Sequence, residues 1–472
     1  MLQVTPRRRG LLAITAGCLA VVAAATTALD DAVPAHVPPG AVASPDDAVV
    51  ALYQDGVEIL ADGSVRPLPA GSGVTYLAGS RVVDPGGPGA VAGRPLADPG
   101  PDAGLRGAVL ARAETSAAWL AGGRLPGAGT RFAALGESAL LDLRALVLDG
   151  GAAVAGIEPH WRYVWPRDAS FAAVALARTG HVGDAVEVLE FLASVQHDDG
   201  TFEARYLPDA SGVPDDRAAQ ADGAGWALWA VDEVVAATAR DDGPASAPSA
   251  AEVRARLSGL TTRSTDAVLA LVATPDGLPP ASPDYWEVSA PELTLGTAAP
   301  LLAGLEASSR THAAWHDDAG AERAAAGAAR LRTGIETTFG SAGYPREISG
   351  GPSDAATAFA LPPFQPTPLR GADDAWRASV TDMLRPAGGL APGGSWRRDG
   401  ISWTPQTALY ALTAASTGDR DQALHWLGWI DEHRTASGAI PEKVLADGSP
   451  AAVAPLAWTS ALVVIALDEL DR

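Results

Sequence analysis

Cysteine is almost missing from these 472 residues: Cys18 is the only one. No intrachain disulfide can form. Cys18 also falls inside a stretch that reads as an export signal, so the mature chain has no thiol for metal binding or catalysis. Positive charge is scarce too. The 34 Lys and Arg face 56 Asp and Glu, a formal net charge of −22. A chain this acidic repels phosphate backbones, which argues against a nucleic-acid partner. There is no P-loop, no Rossmann glycine pattern, no G-x-S-x-G elbow and no zinc-ligand spacing, so those chemistries have no support. Asp198-Asp199-Gly200 lacks an EF-hand spacing, and His160, His181, His197, His312, His316, His425 and His433 show no ligand spacing. Neither metal nor cofactor is expected. After residue 29 no apolar run is long enough to cross a membrane.

What is present is globular: 47% hydrophobic and 19% charged residues, with length enough for a large core that needs no disulfides. Tryptophan stands out, at 13 of the 27 aromatic residues. Indole rings stack on the apolar faces of sugars, although core packing is the plainer use of each one. At the start, Arg7, Arg8 and Arg9 precede an apolar stretch from Leu11 to about Leu29, followed by Asp30 and Asp31. That order describes a secretory signal, with an uncleaved anchor through residues 11–29 as the alternative. A twin-arginine route is compatible with it. The expected location is secreted, or held on the outer face of the cytoplasmic membrane. Residues 30–45 form a Pro/Ala linker. Residues 46–104 carry strand-like pieces such as Ala48–Tyr53 and Val74–Leu77, cut by Gly and Pro clusters.

From about 105 to 472 the apolar spacing is helical. Helices are predicted over 105–120, 132–149, 168–179, 183–196, 221–240, 291–308, 404–416, 420–433 and 457–470, among roughly a dozen in all. A distant internal repeat has an offset of 238 residues: Gly180 maps onto Gly418, Gly200 onto Gly438 and Trp165 onto Trp403. Each unit reads as helix, Gly-closed turn, helix and long loop. Stacked hairpins bury their faces against neighbours, and six of them close into an (α/α)6 toroid whose long loops gather at one end. Thr201–Tyr206 and Ile440–Val444 would then share a face. An open helical solenoid is the alternative. The expectation is a mainly α chain, the toroid preceded by the short β-rich segment.

Five constellations carry candidate chemistry. Trp165-Pro166-Arg167-Asp168 opens an apolar helix; Asp168 could simply cap it, or the Arg-Asp pair could grip sugar hydroxyls. Asp284-Tyr285-Trp286-Glu287 precedes another apolar helix. There Glu287 is either a cap or a general acid whose aromatic neighbours desolvate it and favour its protonated form. Gly438-Ala439-Ile440-Pro441-Glu442-Lys443-Val444 leads to Pro455-Leu456-Ala457-Trp458. Glu442 has no helix to cap at once, and a rim salt bridge with Lys443 or Arg434 is its structural alternative. Gln220-Ala221-Asp222-Gly223 opens a helix with Trp226 and Trp229, where capping by Asp222 is the simpler reading. Ser395-Trp396-Arg397-Arg398-Asp399 precedes Trp403, and its arginines are exposed unless the loop faces the same centre.

In this order the segments resemble glycoside hydrolase family 15, the glucoamylase-like family, over residues 105–472. The resemblance implies an (α/α)6 barrel and inverting hydrolysis of an α-glucan or α-glucoside, releasing glucose from non-reducing ends. It implies a general acid at Glu287 and a general base at Glu442. Substrate contacts would come from Trp165, Arg167, Asp168, Trp286, Arg397 or Arg398, Trp403 and Trp458. The chain departs from the family pattern at Val288, where many relatives carry a second acid. Bacterial relatives also often carry a large N-terminal β-sandwich, where this chain has only the 46–104 stretch. Trehalases and α-1,6-glucosidases share the family. A catalytically weak, envelope-anchored glucan-binding protein is the reading from a different class. A monomer is expected.

Overall fold

A computed structural model of the chain describes residues 50–87, 103–240 and 247–472. The export signal or anchor, Cys18, the linker and the first residues of the Ala48–Tyr53 stretch lie outside the described residues. Twelve α-helices occur among the described residues: α1 Ala103–Ala121, α2 Ala133–Leu146, α3 Pro166–Arg178, α4 Val182–Val195, α5 Asp222–Thr238, α6 Ala250–Leu271, α7 Leu295–Ala314, α8 Asp318–Thr338, α9 Ala372–Met383, α10 Thr404–Ser416, α11 Arg420–Glu432 and α12 Ala457–Asp471. None of them is long and apolar enough to cross a membrane.

Burial sorts these helices into two layers. Every residue of α3 is buried, and α5, α7, α10 and α12 are buried over most of their length. A helix enclosed on all sides belongs inside a larger assembly. By contrast α4, α6, α8, α9 and α11 bury only one face. The inner members pack in the order α3, α5, α7, a short 3-10 helix at Ala355–Ala360, α10 and α12, and α12 returns to α3. Outside them sit α4, α6, α8, α9, α11 and α2, one against each inner member. This is the (α/α)6 toroid.

The fourth inner member departs from a full helix. The 3-10 turns of Ala355–Ala360 start where Asp354 accepts from the Ala356 amide at 2.8 Å. They stop before Pro362-Pro363, because a proline disfavours helical backbone in the residue before it and lacks an amide of its own.

Two features set how tightly the ring closes. Gly225 in α5 lies against α7 so closely that a Cβ there would stand 2.4 Å from the Pro300 carbonyl oxygen. A Cβ on Gly304 would stand 2.6 Å from the Gly225 Cα. The interior is filled by Phe171, Trp226, Trp229, Phe359 and Phe364, whose rings interlock at centroid distances of 4.9–5.9 Å. Such tilted and edge-on aromatic contacts add to the area buried.

The internal repeat appears as geometry. The hairpins α3–α4 and α10–α11 begin 238 residues apart in both of their helices, and Gly180 (φ 91°) and Gly418 (φ 83°) close their turns in the left-handed region. The bridge Val164↔Tyr206 recurs at the same offset as Ser402↔Val444.

Ahead of the helices, β1 (Gln54–Ile59) and β2 (Val65–Pro69) form an antiparallel hairpin. Of the strand-like pieces expected from the sequence, Leu52 and Tyr76 contribute only isolated bridges, to Ala452 and Val83. The hairpin is tied to the toroid. Gln54 donates to the Ala454 carbonyl at 2.6 Å, Ser437 donates to the Asp55 carboxylate, and Thr435 donates to the Asp55 carbonyl. Further along, β5 (Ser402–Trp403), β6 (Lys443–Val444) and β7 (Pro450–Ala451) form a small sheet. A second hairpin pairs β3 (Pro345–Glu347) with β4 (Gly350–Ser353).

Candidate active site at the N-terminal end of the ring

Every inner member of the ring is preceded or opened by a residue singled out by sequence, or by a partner of one. Trp165, Trp403 and Leu456 are the N-caps of α3, α10 and α12; Thr294 and Asp354 precede α7 and the 3-10 helix; Asp222 is the first residue of α5. The loops entering the inner helices therefore converge, and a chain of contacts joins them.

Arg167 is the hub. Its guanidinium is buried, lies 3.1 Å from the Asp168 carboxylate and 3.8 Å from that of Glu287, and stacks over Trp458 at 4.7 Å. Its Nε and Nη1 are buried without a hydrogen-bond partner among the described residues. Buried polar groups are normally bonded, so orphaned groups at one mouth call for hydroxyls from a ligand. Asp168 stands in the first turn of α3 and is buried. Burial pushes its pKa up to about 6, against the pull of Arg167 and with a push from Glu287.

Asp222 is not a cap: no side-chain capping bond forms at that helix start. Its carboxylate turns inward, accepts from Trp226 Nε1 at 3.1 Å and is fully buried. Burial drives its pKa up to about 7, with Arg167 opposing and Asp284 adding. The simpler sequence reading of Asp222 therefore fails, because a helix that forms the inner wall turns its first residue toward the ring rather than along its own axis.

The loop bearing Glu287 is held by a buried network. Arg346 donates to Asp284 at 2.9 Å and to Asp354 at 3.1 Å, and lies over the Trp286 ring at 3.6 Å. Thr294 donates to Asp284 at 2.8 Å, and the Tyr285 hydroxyl donates to Asp354. Trp286 meets Trp396 edge-on at 4.7 Å, and Trp396 meets Trp403 at 5.5 Å. Glu287 itself has φ 55°, a left-handed conformation that an L-residue adopts only when its surroundings hold it there.

The sequence led to the expectation that Tyr285 and Trp286 desolvate Glu287. The Tyr285 hydroxyl goes to Asp354, Arg346 lies over the Trp286 ring, and the Glu287 carboxylate receives a hydrogen bond from Arg217. Arg217 also pairs with Asp215 at 3.2 Å, and Asp215 in turn with Arg205. Arg205 covers the faces of Tyr163 at 4.4 Å and Trp165 at 5.0 Å.

Glu442 sits in the loop ahead of β6. Its amide donates to Val453 at 2.8 Å and its carbonyl accepts from Thr404 at 3.0 Å, so the backbone is fixed on both sides. The side chain is mostly buried and lies 3.4 Å from Lys443, whose ammonium rests over Trp403 at 4.3 Å. Arg434 pairs with Asp431 at 2.8 Å. Of the two candidate arginines, Arg397 acts electrostatically on Asp399, and Arg398 is exposed and near enough to Arg385 to oppose its charge.

The structure thus brings Trp165, Arg167, Asp168, Trp286, Glu287, Trp403, Glu442 and Trp458 to one end of the ring. Arg205, Asp215, Arg217, Arg346 and Asp354 were missed. None was named as a site residue, and partners of opposite charge 8 to 70 residues away give them their role. No group of acidic, histidine or cysteine side chains among the described residues could hold a metal ion.

No family model matches this chain. It is similar to a glycosidase whose structures include a glucose complex (TM-score 0.57, 22% identity, covering 71% of this chain and 95% of that one). It is also similar to a bacterial glucoamylase complexed with acarbose (TM-score 0.62, 16% identity, 78% and 59% covered). The glucoamylase of Saccharomycopsis fibuligera overlays with TM-score 0.54 at 13% identity, over 68% of this chain and 89% of that one. In sequence, 98 residues are 34% identical to an uncharacterised glycosyl hydrolase of Methanocaldococcus jannaschii; the match spans 20% of this chain and 16% of that relative. Fold and site together define an (α/α)6 toroid of the kind seen in glucoamylases, with carboxylates and indole rings at the N-terminal end of its inner helices.

Proposed function

We propose that this chain is an exported glycoside hydrolase that cleaves α-glucosidic bonds with inversion, releasing glucose from non-reducing ends. One observation carries the reading: Arg167 lies 3.8 Å from Glu287 and over Trp458, and the segment leading into Trp458 is bonded to the Glu442 loop through the Leu456 amide and the Ile440 carbonyl. Inverting enzymes place two carboxyls about 6.5–9.5 Å apart, with a water between one of them and the sugar. Glu287 in its protonated form donates to the leaving oxygen, and it gives up its pair with Arg217 when it does so. Glu442 takes a proton from water on the opposite face. Arg167 and Asp168 hold the terminal ring by paired hydrogen bonds, and Trp165, Trp286, Trp403 and Trp458 wall it. Arg7, Arg8, Arg9 and the apolar run after them support export.

Proton NMR of fresh product from maltose, starch, isomaltose and trehalose tests this reading. Early β-glucose from any of them is the expected result, and the substrate that yields it names the linkage. Early α-glucose points to a covalent intermediate and defeats the assignment of roles. No product from any of them shifts weight to a glucan-binding protein. General acid–base assistance is worth about 10²–10⁴ in rate per group, so Glu287→Gln and Glu442→Gln should each lose most turnover.

A further inference from the structure

We propose that Lys443 is a positioning residue for Glu442: its ammonium, seated on the face of Trp403, engages one carboxylate oxygen so that the other is left to take the proton from water. The inference rests on the assignment of Glu442 as the base. It begins from composition. The chain contains a single lysine, and arginine supplies every other one of its 34 basic residues. That lysine stands next to Glu442 and opens β6, which pairs with β5 and β7.

The geometry is specific. Lys443 Nζ lies 3.4 Å from Glu442 Oε2 and 4.3 Å from the centre of the Trp403 ring, and the two side chains are only 13% and 12% exposed. Oε2 has no hydrogen-bond donor among the described residues, so the ammonium is the charge that faces it. An ammonium over an indole face is held by the ring quadrupole, which fixes the charge without consuming its donors. An arginine would bring a planar fork that binds a carboxylate through both oxygens, whereas the compact ammonium takes one. A base whose second oxygen must stay free for water needs the latter.

The internal repeat isolates this feature. At the offset of 238, Lys443 corresponds to Arg205, Trp403 to Trp165 and Glu442 to Ala204. Arg205 rests over Trp165 at 5.0 Å, as Lys443 rests over Trp403. A cation on tryptophan is therefore shared by both halves of the ring. In the first half that cation pairs with Asp215, ten residues further on; only in the second half does the cation face the carboxylate of the residue just before it, and there the cation is lysine.

Because the lysine is unique, the folded wild-type enzyme can be modified at that one side chain besides the terminal amine. Acetylation removes the charge, whereas reductive dimethylation adds bulk and keeps it. Both reactions are followed by peptide mass spectrometry, and acetylated K443M reports the contribution of the terminal amine. A loosened catalytic group costs about 10–100-fold. Acetylation at Lys443 should therefore lower kcat on the best α-glucoside by about that factor with KM little changed, and dimethylation should leave most of kcat. K443M should match the acetylated enzyme while keeping the wild-type melting temperature within a few degrees. Equal losses from both reagents would mean that Lys443 merely packs, and full kcat after complete acetylation or in K443M would show that it does nothing for Glu442. Either result overturns the inference with the function intact. An unmodified enzyme with no turnover on any α-glucoside overturns the proposed function and the role of Lys443 with it.

Discussion

Two arginines near Glu287 differ in what their removal should do, and burial decides it. Arg346 is sealed between Asp284 and Asp354, with side-chain exposures of 7%, 0% and 0%. Removing one partner of a buried ion network leaves charges with no solvent, a loss of about 3–5 kcal/mol. Arg346→Ala should therefore lower unfolding stability by that order in a denaturant titration, and disorder the Glu287 loop as well. Arg217 and Glu287 remain 28% and 21% exposed, and pairs of that kind contribute about 0–1 kcal/mol. Arg217→Ala should be nearly neutral in the same titration, and any change it makes will be in turnover. Asp222 adds a pH dependence. Its pKa rises from an ordinary 3.8 to about 7 because burial disfavours the charged form. The folded state thus holds a proton that the unfolded state has released. The stability contributed is complete below about pH 4 and is lost as pH rises through about 7. Melting temperatures at pH 5 and pH 8 should fall closer together, by roughly 2–4 °C, in Asp222→Asn than in the wild type.

Elements in this ring are spaced by what glycine permits. At the α5–α7 crossing a methyl group on Gly225 has nowhere to go, since its nearest neighbours are backbone atoms of Pro300 and Leu301. Overpacking of this kind costs about 1–3 kcal/mol, so Gly225→Ala should unfold at lower denaturant. A Cβ on Gly107, in the exposed part of α1, would meet nothing within 4 Å. There Gly→Ala should stabilise by about 0.5–1 kcal/mol, through helix propensity alone. Helix extents were largely legible in the sequence: 404–416 matches α10, and the remaining predicted spans differ from the observed helices mainly at their ends. The fourth inner member could not be read as one of six. It is six residues long, cut by Pro362-Pro363, and only its place between α7 and α10 makes it part of the ring.

At the scale of the whole molecule, the N-terminal hairpin is coupled to the candidate base. Asp55 accepts from Ser437 and from the Gly73 amide, while Thr435 and Gln54 tie β1 to both ends of the 435–454 loop. Asp55→Ala should lower kcat through Glu442 and should leave the Glu287 side unchanged. Tryptophan fluorescence and kinetics on one α-glucoside would check it: an unchanged kcat would mean that the loop is held by the toroid alone.

Local order along the chain determined much of this protein. The helical periods, the Gly180 and Gly418 turns, the 238-residue repeat and the tryptophans and acids ahead of inner helices all depend on neighbouring residues, so a linear reading finds them. Tertiary structure decided the electrostatics of the mouth. Arg346 reaches Asp284 across 62 positions and Arg217 reaches Glu287 across 70, and charge pairing of that kind has no periodicity to betray it. It also turned Asp222 from an apparent cap into a buried acid and buried Asp168 beside Arg167, because closing the ring removes water from whichever residues open its inner helices.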